Sequence, residues 1–355
     1  MKQIILDLAN KLISIPSTKN NSKALQEVLD IASEKLNGFN VKKFSSKKIP
    51  SALYYNTPTL PKKFKIILNA HLDVVPDKEY RAEERGGKLY GRGTYDMKAA
   101  AAVEVLVFAN LAQRLNYPVG LQLVTDEEVS GYHGTRYQVE QGIRADFVIA
   151  GEPTNFGVNN KAKGVLWAKI KTKGLTAHGA YPWHGQNAIW QMKKFLDKLE
   201  KRFPEPKSES WVTTVNVASI ECSNKTFNKV ADDCVISLDI RYIPEDKDTV
   251  QDTIKLLLPK GMEMEVLEFE PPQSTNEKNP YVVSLQKATE KITGKLSPII
   301  LKHGASDIRF YDSVRVAGVT FGPIGAGLHS DEEWVDIDSL DNYYKILMEF
   351  LLSQK

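Results

Sequence analysis

Residues 65–98 (KIILNAHLDVVPDKEYRAEERGGKLYGRGTYDMK) constrain the fold most, because a buried strand runs directly into residues of the kind that bind metals. The apolar run that opens this stretch predicts a short strand, with His71 and Asp73 at its carboxyl end. Residues two apart in an extended chain point to one side, so Asp73 can orient the His71 imidazole. Asp96 precedes a long apolar helical pattern, where it can cap the helix or bind a cation. One stretch therefore supplies a nitrogen ligand and two carboxylates.

The elements that follow alternate between strands and helices. Residues 119–125 predict a second strand, which leads to Glu127 and Glu128, and a third strand over 146–150 leads to Glu152. This alternation predicts an α/β fold with a mostly parallel sheet flanked by helices, whose ligands gather at the carboxyl ends of the strands. A single acidic pair is common in proteins without a metal, but three strand ends that carry ligands indicate a metal centre.

A second domain is predicted to be inserted into the first. After residue 163 the predicted order becomes β-α-β-β-α-β, which is typical of a small ferredoxin-like α+β domain. The tail of the chain then returns to helix, strand and helix. We therefore expect a catalytic domain formed by residues 1–163 and 273–355, and a lid or dimerisation domain formed by residues 164–272.

Composition and charge argue against several classes of protein. A net charge of +3 over 355 residues lacks the concentrated basic face of proteins that bind nucleic acid or membrane surfaces. We interpret the basic run KKFSSKK at 42–48 as a solvated loop. Cys222 and Cys234 are too few for an extracellular disulfide framework, so we predict reduced core cysteines and a cytoplasmic protein. Residues 1–17 predict an amphipathic helix rather than a signal peptide, and the apolar stretch 99–112 is too short to span a bilayer.

Six motifs, in order along nearly the whole chain, resemble the metallopeptidase family of acetylornithine deacetylase, succinyl-diaminopimelate desuccinylase and aminoacylase. They are HLDVVP at 71–76, GRGTYDMK at 91–98, TDEEVSG at 125–131, GEPT at 151–154, AHGAYPWHGQNAI at 177–189 and GLHSDEEWV at 327–335. The resemblance implies a zinc-peptidase-like catalytic domain, an inserted lid domain and a homodimer.

The same resemblance implies a set of metal ligands. His71, Asp96 and Glu152 would hold one zinc ion. Asp96, Glu128 and His329 would hold the other, so that Asp96 bridges the two. Family members often have a cis peptide after the bridging aspartate. Glu152, where relatives of another branch have aspartate, resembles the deacylase and carboxypeptidase members more than the aminopeptidases.

Catalytic and substrate-binding roles also follow from the resemblance. Asp73 would orient a ligand, and Glu127 would be the general base and then the general acid. His178 would enter the site of a neighbouring subunit, although a loop histidine that caps its own backbone is the alternative. Arg241 and Asn228 would grip a substrate carboxylate, although an arginine on a strand can also pair with a nearby acid.

Two positions near the end of the chain are expected to lie at the site. Ser306 matches a family loop that lines it, and we expect Gly325 to belong to the loop that shapes the pocket beside His329. His303, in the same segment, matches no ligand position, and we predict a packed residue.

The sequence thus predicts a hydrolase that removes an acyl group from an N-acyl amino acid, of the acetylornithine deacetylase or succinyl-diaminopimelate desuccinylase type. Two metal ions would activate a water for attack on the amide. Mixed nitrogen and oxygen ligands favour zinc over cobalt or manganese. A dipeptidase or carboxypeptidase of the same family is one alternative, and a catalytically silent ligand-binding scaffold is another. We expect no nucleic-acid or membrane partner.

Overall fold

The computed structural model describes residues 1–354. Its α-helices in chain order are α1 (Lys2–Ile13), α2 (Ser22–Ser33), α3 (Lys98–Leu111), α4 (Thr135–Glu140), α5 (Ala188–Arg202), α6 (Val250–Leu257), α7 (Pro280–Thr293), α8 (Ile308–Ser313) and α9 (Ile337–Ser353). Its strands are β1 (Asn40–Ser46), β2 (Ile49–Tyr55), β3 (Phe64–His71), β4 (Glu83–Arg85), β5 (Lys88–Tyr90), β6 (Val119–Val124), β7 (Ala145–Ala150), β8 (Val158–Ala162), β9 (Gly164–Lys173), β10 (Thr214–Glu221), β11 (Asp233–Tyr242), β12 (Met262–Glu270), β13 (Gln273–Ser274), β14 (Ile299–Lys302), β15 (Ala317–Thr320), β16 (Gly325–Ala326) and β17 (Trp334–Asp336).

The chain divides into two compact units. The larger comprises Met1–Lys161, Ser274–Leu301 and the residues from Ser306 onward, and the smaller comprises Ala162–Gln273 and Lys302–Ala305. The larger unit is built on a sheet of order β1-β2-β6-β3-β7-β15-β8-β13, with β14 paired to β8. Strands β6, β3, β7 and β15 run parallel to one another, whereas β1 and β2 pair antiparallel at one edge. The predicted α/β fold with a mostly parallel sheet is confirmed.

Strand β3 is buried because helices cover both faces of the sheet. Ile66 and Leu68 pack into a core shared with α1, α2, α3, α7 and α9, whereas Phe64 and Ile67 pack on the other side with α4 and α8. A strand buried on both faces is apolar throughout rather than alternating, as the sequence of β3 is. The polar residues of the segment therefore collect at its end, beyond the sheet.

Helix α3 passes through the middle of the larger core. Nearly all its side chains are buried, including those of a run of four alanines, which lets the helix pack closely against its neighbours. The residue before the helix is Met97, and no side chain caps this end. Of the two functions left open for Asp96, capping is therefore not observed. The peptide between Asp96 and Met97 is cis, as the resemblance implies.

Two local predictions were wrong. KKFSSKK is not a loop, because its first five residues belong to β1, which buries Phe44; lysines on the exposed positions of an edge strand protect it from pairing with other chains. Both cysteines are free thiols, but only Cys234 is in the core and Cys222 is half-buried.

The smaller unit has a sheet of order β10-β11-β9-β12, and all three pairings are antiparallel. Helices α5 and α6 cover one face, where Ile170, Phe195, Ile236 and Ile254 form the core. The element order β9-α5-β10-β11-α6-β12 is the predicted β-α-β-β-α-β arrangement. No helix among residues 1–354 is long and apolar enough to cross a bilayer.

Candidate metal centre

The carboxyl ends of three neighbouring parallel strands carry the acidic and histidine side chains. His71 is the last residue of β3, Glu127 and Glu128 follow β6 in a short 3-10 turn, and Glu152 follows β7. Because β6, β3 and β7 are adjacent and parallel, their ends meet at one edge of the sheet. The fold therefore brings together side chains that are distant in sequence.

Asp96 lies between the two histidines. Its Oδ1 is 2.9 Å from His71 Nε2, and its Oδ2 is 3.3 Å from His329 Nε2. Each carboxylate oxygen thus faces a different imidazole. A carboxylate that offers one oxygen to each of two ligand groups is the arrangement required to bridge two cations.

Each histidine also has a second carboxylate near its Nε2 atom. Glu152 Oε1 lies 3.9 Å from His71 Nε2, and Glu128 Oε2 lies 3.2 Å from His329 Nε2. Ligand atoms of His71, Glu127 and Glu152 all lie within 4.8 Å of one another, as do those of His71, Asp96 and Glu128. The predicted ligands are therefore close together, although both groups of neighbouring ligand atoms contain His71 and one of them contains Glu127 in place of Asp96.

Asp73 has more contacts than its predicted function requires. Its Oδ1 is 3.7 Å from His71 Nδ1, but the shorter contact of that nitrogen, 3.0 Å, is with the Asp73 backbone oxygen. The two carboxylate oxygens accept hydrogen bonds from the backbone N–H groups of Glu127, at 3.2 Å, and Glu128, at 3.0 Å. Asp73 thus holds the turn that carries the two glutamates as well as facing the imidazole.

A buried ion pair behind Asp96 was not predicted. Glu333 Oε1 accepts hydrogen bonds from the backbone N–H groups of Tyr95, at 2.9 Å, and Asp96, at 3.0 Å. Its other oxygen is 2.6 Å from Arg92 Nη1, and Arg92 Nε is 3.3 Å from a carboxylate oxygen of Asp77. Glu333 is only 1% exposed, so its hydrogen bonds fix the backbone at Asp96.

The electrostatics of the cluster suit cations. Burial raises the pKa of Asp73 to about 7, and burial together with the charge of Glu152 raises the pKa of Glu127 well above its ordinary value. Hydrogen bonds to Asp96 and Glu128 raise the pKa of His329 to about 10. Burial alone would lower the pKa of His71, but the hydrogen bond and charge of Asp96 raise it well above its ordinary value.

The donor set fits divalent metal ions. Glu128 Oε1 is buried and has no hydrogen-bond partner among the described residues, which is costly for a carboxylate oxygen unless a cation binds it. Imidazole nitrogen and carboxylate oxygen are both ligands of zinc. A cation bound among them would compensate the negative charge of the clustered carboxylates.

The predicted residues of the smaller unit lie apart from this cluster in the chain and have their own contacts. His178 is exposed, and its Nδ1 accepts a hydrogen bond from Ala180 N at 3.1 Å, which is the backbone cap named as the alternative. That bond leaves Nε2–H free to donate to another group. Asn228 is exposed and its backbone oxygen accepts from Gly179 N at 2.7 Å. Arg241 pairs with Asp239 through contacts of 2.8 and 3.2 Å.

Ser306 and Gly325 are both buried in the larger unit. The Ser306 backbone oxygen accepts a hydrogen bond from Arg309 Nη1 at 2.8 Å. The Gly325 N–H donates to Asn155 Oδ1 at 2.8 Å, and a Cβ here would collide with the backbone oxygen of Trp334. Glycine is therefore required by close packing at this position.

His303 is not the packed residue that we predicted. It is exposed, and its Nε2 lies 3.2 Å from Glu209 Oε1. Its segment, Lys302–Ala305, belongs to the smaller unit although it is distant from the rest of that unit in sequence. The sequence pattern alone does not indicate that this segment belongs to the smaller unit.

Comparison with known proteins agrees with this geometry. The profile of Peptidase family M20/M25/M40 matches residues 67–353. Succinyl-diaminopimelate desuccinylase of Hahella chejuensis is 25% identical over 378 residues, covering 98% of this chain and 97% of that protein. The crystal structure of aminopeptidase PepT from Bacillus cereus superposes with a TM-score of 0.84 at 18% identity, covering 99% of this chain and 98% of that one.

A dinuclear metal-binding peptidase of the M20 family from Bacillus subtilis also has this fold, with a TM-score of 0.75 at 12% identity, covering 99% of this chain and 97% of that one. At such identities the two structures establish only the fold. The family profile, in contrast, spans every strand end of the cluster and extends to His329. The chain therefore belongs to peptidase family M20/M25/M40 and is a hydrolytic enzyme.

Proposed function

We propose that this protein hydrolyses the amide bond of N-acyl amino acids with two bound zinc ions, as an acetylornithine deacetylase or succinyl-diaminopimelate desuccinylase does. The observation that carries the proposal is the position of Asp96, whose two oxygens face the two histidine ligands at 2.9 and 3.3 Å. His71 and Glu152 would hold one zinc with Asp96, and Glu128 and His329 would hold the other. Cobalt or manganese would also suit this mixture of ligands.

Glu127 would be the general acid and base. It lies next to Glu128 in the chain, but it does not share the contact that Glu128 makes with His329. When bound, the metals would polarise the scissile carbonyl and make water acidic enough to react near neutral pH. Glu127 would accept the proton of the attacking water at a carboxylate oxygen and then deliver it to the leaving amine. Asp73 would hold the backbone of Glu127 and the imidazole of His71 in place.

The smaller unit would complete the site in a homodimer. His178 would donate its Nε2–H to the oxyanion that forms on the carbonyl, since its Nδ1 already accepts a hydrogen bond. Arg241 and Asn228 would contact the substrate carboxylate, and Ser306 and Gly325 would line the pocket. The pairing of Arg241 with Asp239 means that this arginine is oriented but also partly neutralised. We propose a cytoplasmic location, with no nucleic-acid partner.

A dipeptidase or carboxypeptidase using the same cluster is the second candidate. It is favoured by structural similarity to peptidases, including aminopeptidase PepT, because those proteins share the fold over almost the whole chain. A silent scaffold is disfavoured because all five metal ligands and Glu127 are present in this chain.

A substrate panel tests the proposal. Purified protein is assayed with N-acetylornithine, N-succinyl-diaminopimelate and simple dipeptides, each with zinc, with cobalt and with the chelator EDTA. We expect release of acetate or succinate that EDTA abolishes and zinc restores. Turnover of dipeptides alone would assign the second candidate. Turnover that is unaffected by the chelator would contradict the metal mechanism.

A further inference from the structure

The two cysteines of the chain face each other across two strands of the smaller unit. The antiparallel register of β10 with β11 ends with Glu221 opposite Val235, so its next step sets Cys222 opposite Cys234. Directly opposite residues of antiparallel strands have side chains on the same face of the sheet and Cα atoms about 4.5 or 5.5 Å apart. A disulfide requires Cα atoms about 4.4 to 6.8 Å apart, so a disulfide can form at this position.

The hairpin stays closed beyond the two cysteines. The backbone N–H of Ser223 donates to both carboxylate oxygens of Asp233, at 3.2 and 3.1 Å. Cys234 is the second residue of β11 and pairs with Thr172 of β9 on its other side, whereas Cys222 is the first residue after β10. The sheet thus fixes Cys234, and the small adjustment that a sulfur–sulfur bond needs falls on Cys222.

The two thiols differ in their exposure. Cys234 is fully buried, and Cys222 is half-buried. Burial raises the pKa of the Cys234 thiol, and the charge of Cys222 raises it further, which shows that the two thiols are near each other. An oxidant can therefore reach Cys222 from solvent, while Cys234 lies beside it as the thiol that reacts with the oxidised product.

The hairpin loop between the cysteines supports the segment that carries His178. Lys229 of the loop forms a β-bridge with His178. The N–H of Gly179 donates to the backbone oxygen of Asn228 at 2.7 Å. A covalent bond between the two ends of the loop would limit its opening, and the segment hydrogen-bonded to it would be held more firmly.

We infer that Cys222 and Cys234 are a site of reversible oxidation, at which hydrogen peroxide converts the two thiols to a disulfide. The Cys222 sulfur attacks the peroxide, the O–O bond breaks, one water leaves and Cys222 becomes a sulfenic acid. The Cys234 sulfur then attacks the Cys222 sulfur, the S–O bond breaks and a second water leaves. The two thiols lose two electrons and two protons, and one peroxide is reduced to two waters. The inference concerns the smaller unit alone and does not depend on the proposed function.

Peptide mapping tests the bond. The protein is treated with hydrogen peroxide, alkylated to block free thiols and digested with trypsin without a reductant. Lys225 and Lys229 lie between the cysteines, so trypsin separates them into peptides 208–225 and 230–241, neither of which contains a methionine that peroxide could oxidise. We expect most copies of the two peptides to be linked, and dithiothreitol to separate them. Unlinked, alkylated peptides would overturn the inference, as would sulfinic or sulfonic acid at either cysteine.

A non-reducing gel and two variants test the order of the steps. The oxidised protein should keep the mass of one chain, and a covalent dimer would overturn the inference. In Cys234→Ala the remaining thiol should form a sulfenic acid that dimedone traps, whereas in Cys222→Ser the buried thiol should stay reduced. Equal trapping in the two variants would overturn the assignment of Cys222 as the thiol that peroxide attacks.

Hydrogen exchange measures what the disulfide does. We expect the amide hydrogens of residues 223–233 and 177–179 to exchange about 10-fold more slowly in the oxidised protein than in the reduced protein, because the bond restricts opening of the loop. The amides of α9, in the larger unit, should be unchanged, and Cys222→Ser treated with peroxide should behave like the reduced protein. Linked peptides with unchanged exchange would mean that the disulfide does not stabilise the segment of His178.

Discussion

Glu127 and Glu128 are adjacent in the chain, yet their side chains have different surroundings. Glu128 contacts His329 at 3.2 Å, and Glu127 is raised in pKa by burial and by the charge of Glu152. The backbone N–H groups of both glutamates donate hydrogen bonds to the same carboxylate, that of Asp73, so the two glutamates are held as one rigid turn. Two carboxylates in one turn can thus have different functions, one as a ligand and one as a base.

Replacing Glu127 with glutamine should therefore abolish turnover without releasing metal. We expect kcat to fall by about 100- to 10,000-fold, because glutamine cannot accept a proton, while the metal content measured by atomic emission remains at the wild-type level. Glu140→Gln, an exposed glutamate that pairs with Arg136 at 2.9 Å, is the control and should be fully active. Activity near that of wild type in Glu127→Gln would exclude this residue as the base.

The segment that ends in β17 carries two adjacent glutamates that provide a matched comparison. Glu333 is buried against Arg92 and holds the backbone of Asp96, whereas Glu332 is exposed and is 3.2 Å from Arg85. Glu333→Gln should lower the free energy of unfolding by on the order of 3 kcal/mol, because the buried guanidinium loses the closer of its two carboxylate partners and keeps only Asp77. It should also weaken zinc binding by about 10- to 100-fold, because the ligand backbone is less well held.

Glu332→Gln should change the free energy of unfolding by less than about 0.5 kcal/mol, since an exposed ion pair contributes little. Urea unfolding measures the stability of both variants, and competition with a zinc indicator measures affinity. If both variants behaved alike, Glu333 would not act through Asp96 in the way that its hydrogen bonds indicate.

Helix α3 contains a buried acid, Glu104, whose Oε1 accepts a hydrogen bond from the Tyr343 hydroxyl at 2.8 Å. Burial raises the pKa of Glu104 well above the value of 4.5 expected in an unfolded chain. The folded protein therefore keeps a proton that the unfolded chain releases above that pH. Stability must fall as pH rises through this range, by up to about 1.4 kcal/mol per pH unit from this one group.

Glutamine at position 104 does not titrate, so the variant Glu104→Gln should gain stability relative to wild type as pH rises. We expect the difference in melting temperature between variant and metal-free wild type to increase from about pH 5 to about pH 8. Glu84→Gln, an exposed residue of β4, should show no such trend. A constant difference for Glu104→Gln would mean that Glu104 has the same pKa in the folded and unfolded chains.

For the molecule as a whole, the proposed dimer makes a prediction about mixtures of inactive subunits. If His178 of one subunit serves the site of the other, Glu127→Gln and His178→Asn subunits should complement each other. A heterodimer would contain one site with both groups intact, so co-expression should restore about a quarter of wild-type activity when pairing is random. The heterodimer is isolated with two different affinity tags and assayed beside each homodimer. If the heterodimer is as inactive as the two homodimers, His178 does not act across subunits.

The α/β fold and the position of acidic and histidine side chains at the ends of its strands could be predicted from the sequence, because both depend on local patterns. Apolar runs of strand length, alternating with helical patterns, are sufficient to indicate a parallel sheet, and the ends of parallel strands must meet. His71, Glu128 and Glu152 follow such runs directly. The KKFSSKK strand was missed because edge strands rich in lysine have the composition of loops.

Long-range packing determined which side chains are buried and which charges pair, and local sequence patterns do not encode either. Nothing in the sequence shows that Glu333, rather than Asp331 or Glu332, becomes buried next to Asp96. Its partner, Arg92, is more than two hundred positions away in the chain. Whether Asp96 caps α3 or faces two imidazoles likewise depended on where His329 lies. Lys163 has an ordinary position before a strand, and its burial follows from the residues that fold around it. Local propensity reflects neighbours in the chain, whereas burial and charge pairing reflect neighbours in space.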